Sequence, residues 1–365
     1  MKDDKAIRRV AIACEGGGTH TAFTAGVLKR LLHEPIEIVG LSGTSGGAVC
    51  AMLAWRGLLT GDREDAMRRL DAFWRDNSVE GLEALWGTWL RLSTRLLGEV
   101  VSPEVSPYRW WWDASEQFKQ LLERHCGFAE MPDLLRTNPV APRLLIGAAE
   151  VRSGEFTVFR SHPVTHRGIT YPAAQLSAEV ILASAAVPTL FKAVHIDGRD
   201  YWDGVFAQNP PVRELPDMVR TIPGGKPPDE IWVVRINQRT CEAVPESMAE
   251  IRDRRNELAG IISLSQELYL IDLLNQLIEA GSLTGSKHET ITLRSIGMDD
   301  EFARARWSTS RSWIAVGPSS KIWRRMDGSR QMSSCATRIA TLSLRTPTNR
   351  PAQHRGLFKL RKDRM

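Results

Sequence analysis

The chain has 365 residues, 42% of them apolar and 25% charged; that is ordinary for a globular protein and long enough to bury a substantial core. No window approaches ~18 uninterrupted apolar residues, which argues against a transmembrane helix. The N-terminus contains acidic residues and too short an apolar stretch for a Sec signal peptide, so the expected location is cytoplasmic, with peripheral contact to a membrane allowed.

The formal charge of +5 belongs to one end of the chain: residues 311–365 carry 13 Lys and Arg against 2 Asp and Glu, and the first 310 carry 35 against 41. Basicity confined to a tail is a poor argument for a nucleic-acid partner, and none is expected. The five cysteines, Cys14, Cys50, Cys126, Cys241 and Cys335, are scattered without metal-ligand spacing. No metal and no other cofactor is expected, and Cys14 and Cys50 read as buried free thiols.

Taken in order, "RRVAIACE" (8–15) predicts a short buried strand and "THTAFTAGVLKRLLHE" (19–34) a helix. "IEIVGLSG" (36–43) predicts a second buried strand, and "GGAVCAMLAWRGL" (46–58) a helix apolar nearly all round, hence deeply packed. Two strand–turn–helix units within fifty residues indicate a parallel α/β sheet. Residues 62–77 read as an amphipathic helix, and 80–125 are less regular and rich in tryptophan. "PRLLIGAAEV" and "EFTVFRS" predict a strand pair around Ser153-Gly154, and residues 173–188 a helix ended by Pro188. "AVHIDGRDYWDG" predicts a hairpin, 229–237 a buried strand, 251–281 a long helix and "HETITLRSI" a last strand. Residues 1–310 are expected to form one domain. Periodicity vanishes in 311–365, which reads as a disordered or non-native tail.

The second strand–helix junction, Gly43-Thr44-Ser45-Gly46-Gly47, matches G-x-S-x-G, the sharp turn that presents a serine hydroxyl at a strand end. Its flanking glycines avoid collision with the neighbouring turn, and the following helix aims its first N–H groups, Gly46 included, at the same point. Gly16-Gly17-Gly18 also lie between a strand and a helix. A Walker loop needs a lysine that is absent, and a dinucleotide fingerprint needs a glycine where Thr21 stands. What remains is an oxyanion hole, in which one donor is typically worth ~2.7–4 kcal/mol in the transition state. Turns on successive parallel strands lie side by side at the carboxyl edge of the sheet.

A serine nucleophile needs a base. His125, His162, His166, His195, His288 and His354 follow Ser45, and none sits in a strand-end loop with a supporting motif. "YWDGVFAQNPPV" places Asp203 in a turn after a hairpin strand, and partial burial would raise its pKa toward that of a useful base.

The ordered triple of Gly-Gly-Gly, G-x-S-G-G and a late Asp-Gly, together with "SAAVPTLF" and "DGVFAQNPP", resembles the patatin-like phospholipases over roughly residues 8–300. The resemblance implies a three-layer α/β/α sandwich with a mostly parallel sheet. It also implies a Ser-Asp dyad of Ser45 and Asp203, an oxyanion loop of Gly16, Gly17 and Gly18, and metal-independent hydrolysis of a lipid or phospholipid ester. His20, Thr21, Glu15 and Val205 depart from the family pattern. A neutral His20 supplies no fixed positive charge, so oxyanion stabilisation is expected to be weaker or pH-dependent.

Residues 86–112 hold Trp86, Trp89, Trp110, Trp111 and Trp112. Indoles favour the headgroup layer of a bilayer, so Trp110, Trp111 and Trp112 are candidates for a lid or interfacial patch, against packing over the sheet edge. The sequence leaves two alternatives to a phospholipase A or lysophospholipase type of hydrolase: an acyltransferase with the same acyl-enzyme, and a catalytically dead lipid-binding protein.

Overall fold

The structure, a computed structural model, describes residues 7–80, 106–109, 114–166, 168–188, 190–237, 239–241, 243–283 and 289–297. Trp86, Trp89, Trp110–Trp112, His288, His354 and the tail 311–365 lie outside the described residues. In chain order the elements are β1 (Arg8–Cys14), α1 (Ala22–Leu32), β2 (Ile36–Gly43), α2 (Gly46–Leu59), α3 (Arg63–Glu80), α4 (Ala114–Cys126), α5 (Met131–Thr137), β3 (Arg143–Glu150) and β4 (Phe156–Arg160). The rest are β5 (Val164–His166), β6 (Ile169–Tyr171), α6 (Ala178–Ala185), β7 (Val194–Ile196), β8 (Arg199–Asp203), α7 (Leu215–Arg220), β9 (Glu230–Arg235), α8 (Met248–Glu279) and β10 (Thr292–Gly297).

The main sheet runs β10-β9-β1-β2-β3-β8-β7, with β4 also pairing β3. Strands β10, β9, β1, β2 and β3 are parallel neighbours, whereas β4, β8 and β7 join antiparallel. Helices cover both faces, which explains why the strands read as continuous apolar runs. The pleat of β1 sorts the core: Val10, Ile12 and Cys14 pack with α1, α2, α3, α4 and α6, while Ala11 and Ala13 pack with α7 and α8. The result is the expected three-layer sandwich. Helix α2 is buried through nearly its whole length, consistent with its all-round apolar sequence.

Three segments differ from the sequence reading. The helix expected over 173–188 spans only Ala178–Ala185. Residues 173–177 are not helical, with Ala174 N–H bonded to the Arg160 carbonyl and Ser177 extended, and the helix stops short of Pro188, which disfavours helical geometry in the residue before it. Within the stretch read as irregular, α4 forms a regular helix, because Phe118, Leu121, Leu122 and Cys126 make one apolar stripe against the core. The long helix α8 begins three residues before the expected start, on a capping box of Ser247 and Glu250. It buries Ile261, Leu264 and Ile271, and it leaves Leu258, Ile262, Tyr269 and Leu273 exposed. Among the described residues no helix is long and apolar enough to cross a membrane.

Candidate functional site

Ser45 stands between β2 and α2 with φ 55° and ψ −131°, a conformation that a non-glycine residue adopts only under constraint. The constraint is close packing. A Cβ at Gly43 would lie 2.5 Å from the Gly47 carbonyl oxygen, and a Cβ at Gly47 would lie 2.3 Å from that of Cys14. Both glycines of the motif are therefore sterically required. Ser45 N–H donates to Ser184 Oγ at 3.0 Å, and Ser184 Oγ donates to the Gly147 carbonyl at 2.6 Å.

The parallel register pairs Cys14 with Gly43 and so sets the two glycine turns side by side. Gly16 abuts the serine: a Cβ there would lie 2.9 Å from Ser45 Cβ and 2.7 Å from the Thr44 carbonyl oxygen. Its N–H is already used, donated to Asn209 Oδ1 at 2.7 Å, and its carbonyl accepts from Asn237 Nδ2 at 3.1 Å. Gly16 is thus a packing and anchoring residue, and its donor is not open. No described residue accepts from the N–H groups of Gly17, Gly18 or Gly46. The loop is anchored beneath by Glu15, whose buried Oε2 accepts from the N–H groups of Ile236, at 2.5 Å, and Asn237, at 2.9 Å. Burial raises the Glu15 pKa, partly offset by these bonds. Burial likewise lowers the pKa of His20, which disfavours the imidazolium form there.

Asp203 ends β8, where it pairs with Ala148 of β3, and it is fully buried. Its Oδ1 accepts from Val205 N–H at 2.8 Å, and its Oδ2 has no hydrogen-bond partner among the described residues. Desolvation raises its pKa from the ordinary carboxylate value to about 7, opposed by the Val205 N–H and by the Ser45 hydroxyl. Ser45 and Asp203 therefore meet at the head of the sheet, although no hydrogen bond of ordinary geometry joins their side chains. The turn that follows is tight: a Cβ at Gly204 would lie 2.4 Å from the Gly147 carbonyl oxygen.

The four described histidines among those considered as bases are engaged elsewhere. His125 bonds Asp76 at 2.8 Å, and His162 lies 3.0 Å from Arg143. His195, exposed on its hairpin, bonds Asp200 at 2.9 Å, and His166 lies 3.5 Å from Asp217. Among the described residues there is also no group of three or more His, Cys, Asp or Glu that could hold a metal ion.

Sequence reasoning missed Ser184, Asn209 and the clamp behind them. Ser263 Oγ donates to the Ala207 carbonyl at 2.7 Å and accepts from Asn209 N–H at 3.2 Å. Glu267 accepts from the N–H groups of Arg213, at 2.9 Å, and Val212, at 3.3 Å. Helix α8 thus grips the segment after Asp203. The available signals were the serine of "SAAVP" and the asparagine of "QNPP", each polar within an apolar or proline-bound stretch.

Comparison with known structures finds VipD from Legionella pneumophila, at 11% identity and a TM-score of 0.41, over 92% of this chain and 67% of VipD. It also finds the ExoU–SpcU complex of the Pseudomonas aeruginosa type III secretion system, at 13% identity and a TM-score of 0.28, over 72% of this chain and 51% of that one. The type III effector protein ExoU alone matches at 14% identity and a TM-score of 0.28, over 92% of this chain and 76% of its own. A search of curated protein sequences found no match. The sequence profile described as "Patatin-like phospholipase" matches residues 12–216, more than half of the chain, and this stretch contains both glycine turns, Ser45 and Asp203. The chain belongs to the patatin-like phospholipase family, whose members are, at family level, phospholipase-type hydrolases.

Proposed function

We propose that this protein is a serine acyl-ester hydrolase of the phospholipase A or lysophospholipase type, with Ser45 as nucleophile and Asp203 as its base. Its substrate is a lipid or phospholipid ester, and the hydrolase domain spans 1–310. The observation that supports this reading is the buried carboxyl of Asp203: burial raises its pKa to about 7, opposed in part by the hydroxyl of Ser45, which a strained strand–helix turn holds.

In this mechanism Ser45 Oγ attacks the ester carbonyl while Asp203 takes the hydroxyl proton. A base poised near neutral pH balances availability of the carboxylate against driving force for the transfer. The tetrahedral oxyanion is held by main-chain N–H groups of Gly17, Gly18 and Gly46, at the positive end of α2. Asp203 returns the proton to the leaving alkoxide, the acyl group stays on Ser45, and water activated by Asp203 releases the fatty acid. Gly16, with its own N–H held by Asn209, supports the loop.

The reading is tested with purified protein on phosphatidylcholine vesicles and with a fluorophosphonate probe. Wild type is expected to release fatty acid and to be labelled, and Ser45→Ala to do neither. A folded wild-type protein that remains unlabelled and releases nothing would remove the proposal.

A further inference from the structure

We infer that Ser184 is a positioning residue for this reaction: its hydroxyl is a strut that sets the Ser45 turn against the strand bearing Asp203. The inference rests on the Ser45–Asp203 reading above. Ser184 lies near the end of α6 and is fully buried. Its Oγ accepts the Ser45 N–H at 3.0 Å. Two residues on, the Ala186 carbonyl accepts the Asp203 N–H at 3.0 Å. One short turn of chain, 184–186, thus holds the main-chain amides of both reacting residues.

The second bond of Ser184 closes the frame. Its proton goes to the Gly147 carbonyl at 2.6 Å. Gly147 lies on β3 between Ile146, which pairs with Gly43 of β2, and Ala148, which pairs with Asp203 of β8. The same carbonyl is packed against Gly204 so closely that a Cβ there would lie 2.4 Å from its oxygen. A hydroxyl has one proton to donate. With that proton on Gly147, Ser184 has none for Ser45 or for the substrate, so its part is geometric and not acid–base. The strained φ of Ser45 makes such an anchor necessary, since a turn held in a sparsely populated conformation relaxes when its surroundings stop over-determining it.

The test uses the full chain, with p-nitrophenyl butyrate as ester and a fluorophosphonate as active-site probe, on wild type, Ser184→Ala and Ser184→Cys. Ser184→Ala is expected to lower kcat by about 10- to 100-fold, the scale of a misplacement near 1 Å, and to slow labelling in proportion. KM is expected to stay within about two-fold, because the loss is confined to the transition state. Ser184→Cys, which keeps a weak donor and acceptor in place, is expected to recover part of the rate. It also carries the comparison if the alanine variant does not fold. Added to Asp203→Asn, Ser184→Ala is expected to cost less than about three-fold more, since the strut acts through the pair. Wild-type kcat in folded Ser184→Ala overturns the strut alone, as does a loss that adds in full to that of Asp203→Asn or falls only on KM. A wild type that neither turns over ester nor takes the label overturns the underlying reading and the strut with it.

Discussion

Asn209 grips Gly16 across 193 positions of sequence, accepting its N–H at 2.7 Å through Oδ1 and donating to its carbonyl at 3.5 Å through Nδ2. The grip occupies one N–H of the glycine loop and fixes its first residue. Asn209→Ala leaves a buried N–H without an acceptor, which is expected to cost about 1–3 kcal/mol of stability. It should also lower kcat by roughly ten-fold, through looser oxyanion donors. Denaturation and turnover measured on one preparation check both; an unchanged kcat means that the grip serves folding only.

The strained turn predicts opposite effects on stability and activity. Ser45→Ala is expected to reduce turnover by at least ~10⁴-fold, as loss of a serine nucleophile does elsewhere. Ser45→Gly is expected to be equally inactive yet more stable, by about 1 kcal/mol, because glycine adopts positive φ freely. Urea midpoints for the three proteins decide this. A glycine variant no more stable than the alanine variant rules out strain at this position.

The buried carboxyl predicts a pH dependence with a definite sign. In the proposed role as base Asp203 acts only when ionised, so kcat/KM should rise with pH and level off above about 7. Asp203→Asn should lose activity by about 10³-fold or more and lose that inflection. A pH–rate profile flat from 5 to 9 contradicts the assignment.

Stability follows the same carboxyl in the other direction. Its folded pKa of about 7 exceeds the ordinary 3.8. Between these values the folded state keeps a proton that the unfolded state has lost, so this group's contribution falls as pH rises and reaches its lowest level above about 7. The interval corresponds to roughly 4 kcal/mol as an upper bound. Asp203→Asn should therefore stabilise the fold most at pH 8 and least near pH 4. An equal difference from wild type at both pH values shows that the carboxyl is not desolvated as described.

The contact between the two glycine turns predicts the effect of one methyl group. A Cβ at Gly47 meets the carbonyl oxygens of Cys14 and Glu15 at 2.3 and 2.6 Å, both main-chain atoms with nowhere to go. Gly47→Ala should lower stability by about 1–3 kcal/mol and disturb the Ser45 turn. Gly154→Ala, where a Cβ meets nothing within 4 Å but φ is +72°, should cost only about 1 kcal/mol and leave turnover intact. Similar losses of activity for the two variants refute the proposed close contact.

Much of this architecture was legible in the sequence because its causes are local. Apolar runs in 8–15 and 36–43 announced strands covered on both faces, and the glycines flanking Ser45 announced a turn too tight for side chains. These requirements act between residues a few positions apart or within one strand. The shortened helix Ala178–Ala185 and the regular α4 were misread, since proline effects and partner surfaces decided them.

The sequence by itself determined the tight Ser45 turn, the glycine loop and the parallel α/β frame. Only the tertiary structure decided that Gly16's N–H is taken while no described residue accepts those of Gly17 and Gly18, that the Asp203 carboxyl is fully buried, and that Ser184 and Asn209 bond the main chain of Ser45 and Gly16. The physical reason is that a raised carboxyl pKa and a buried hydrogen bond depend on what surrounds a group. Here those surroundings come from segments as much as 139 and 193 positions away.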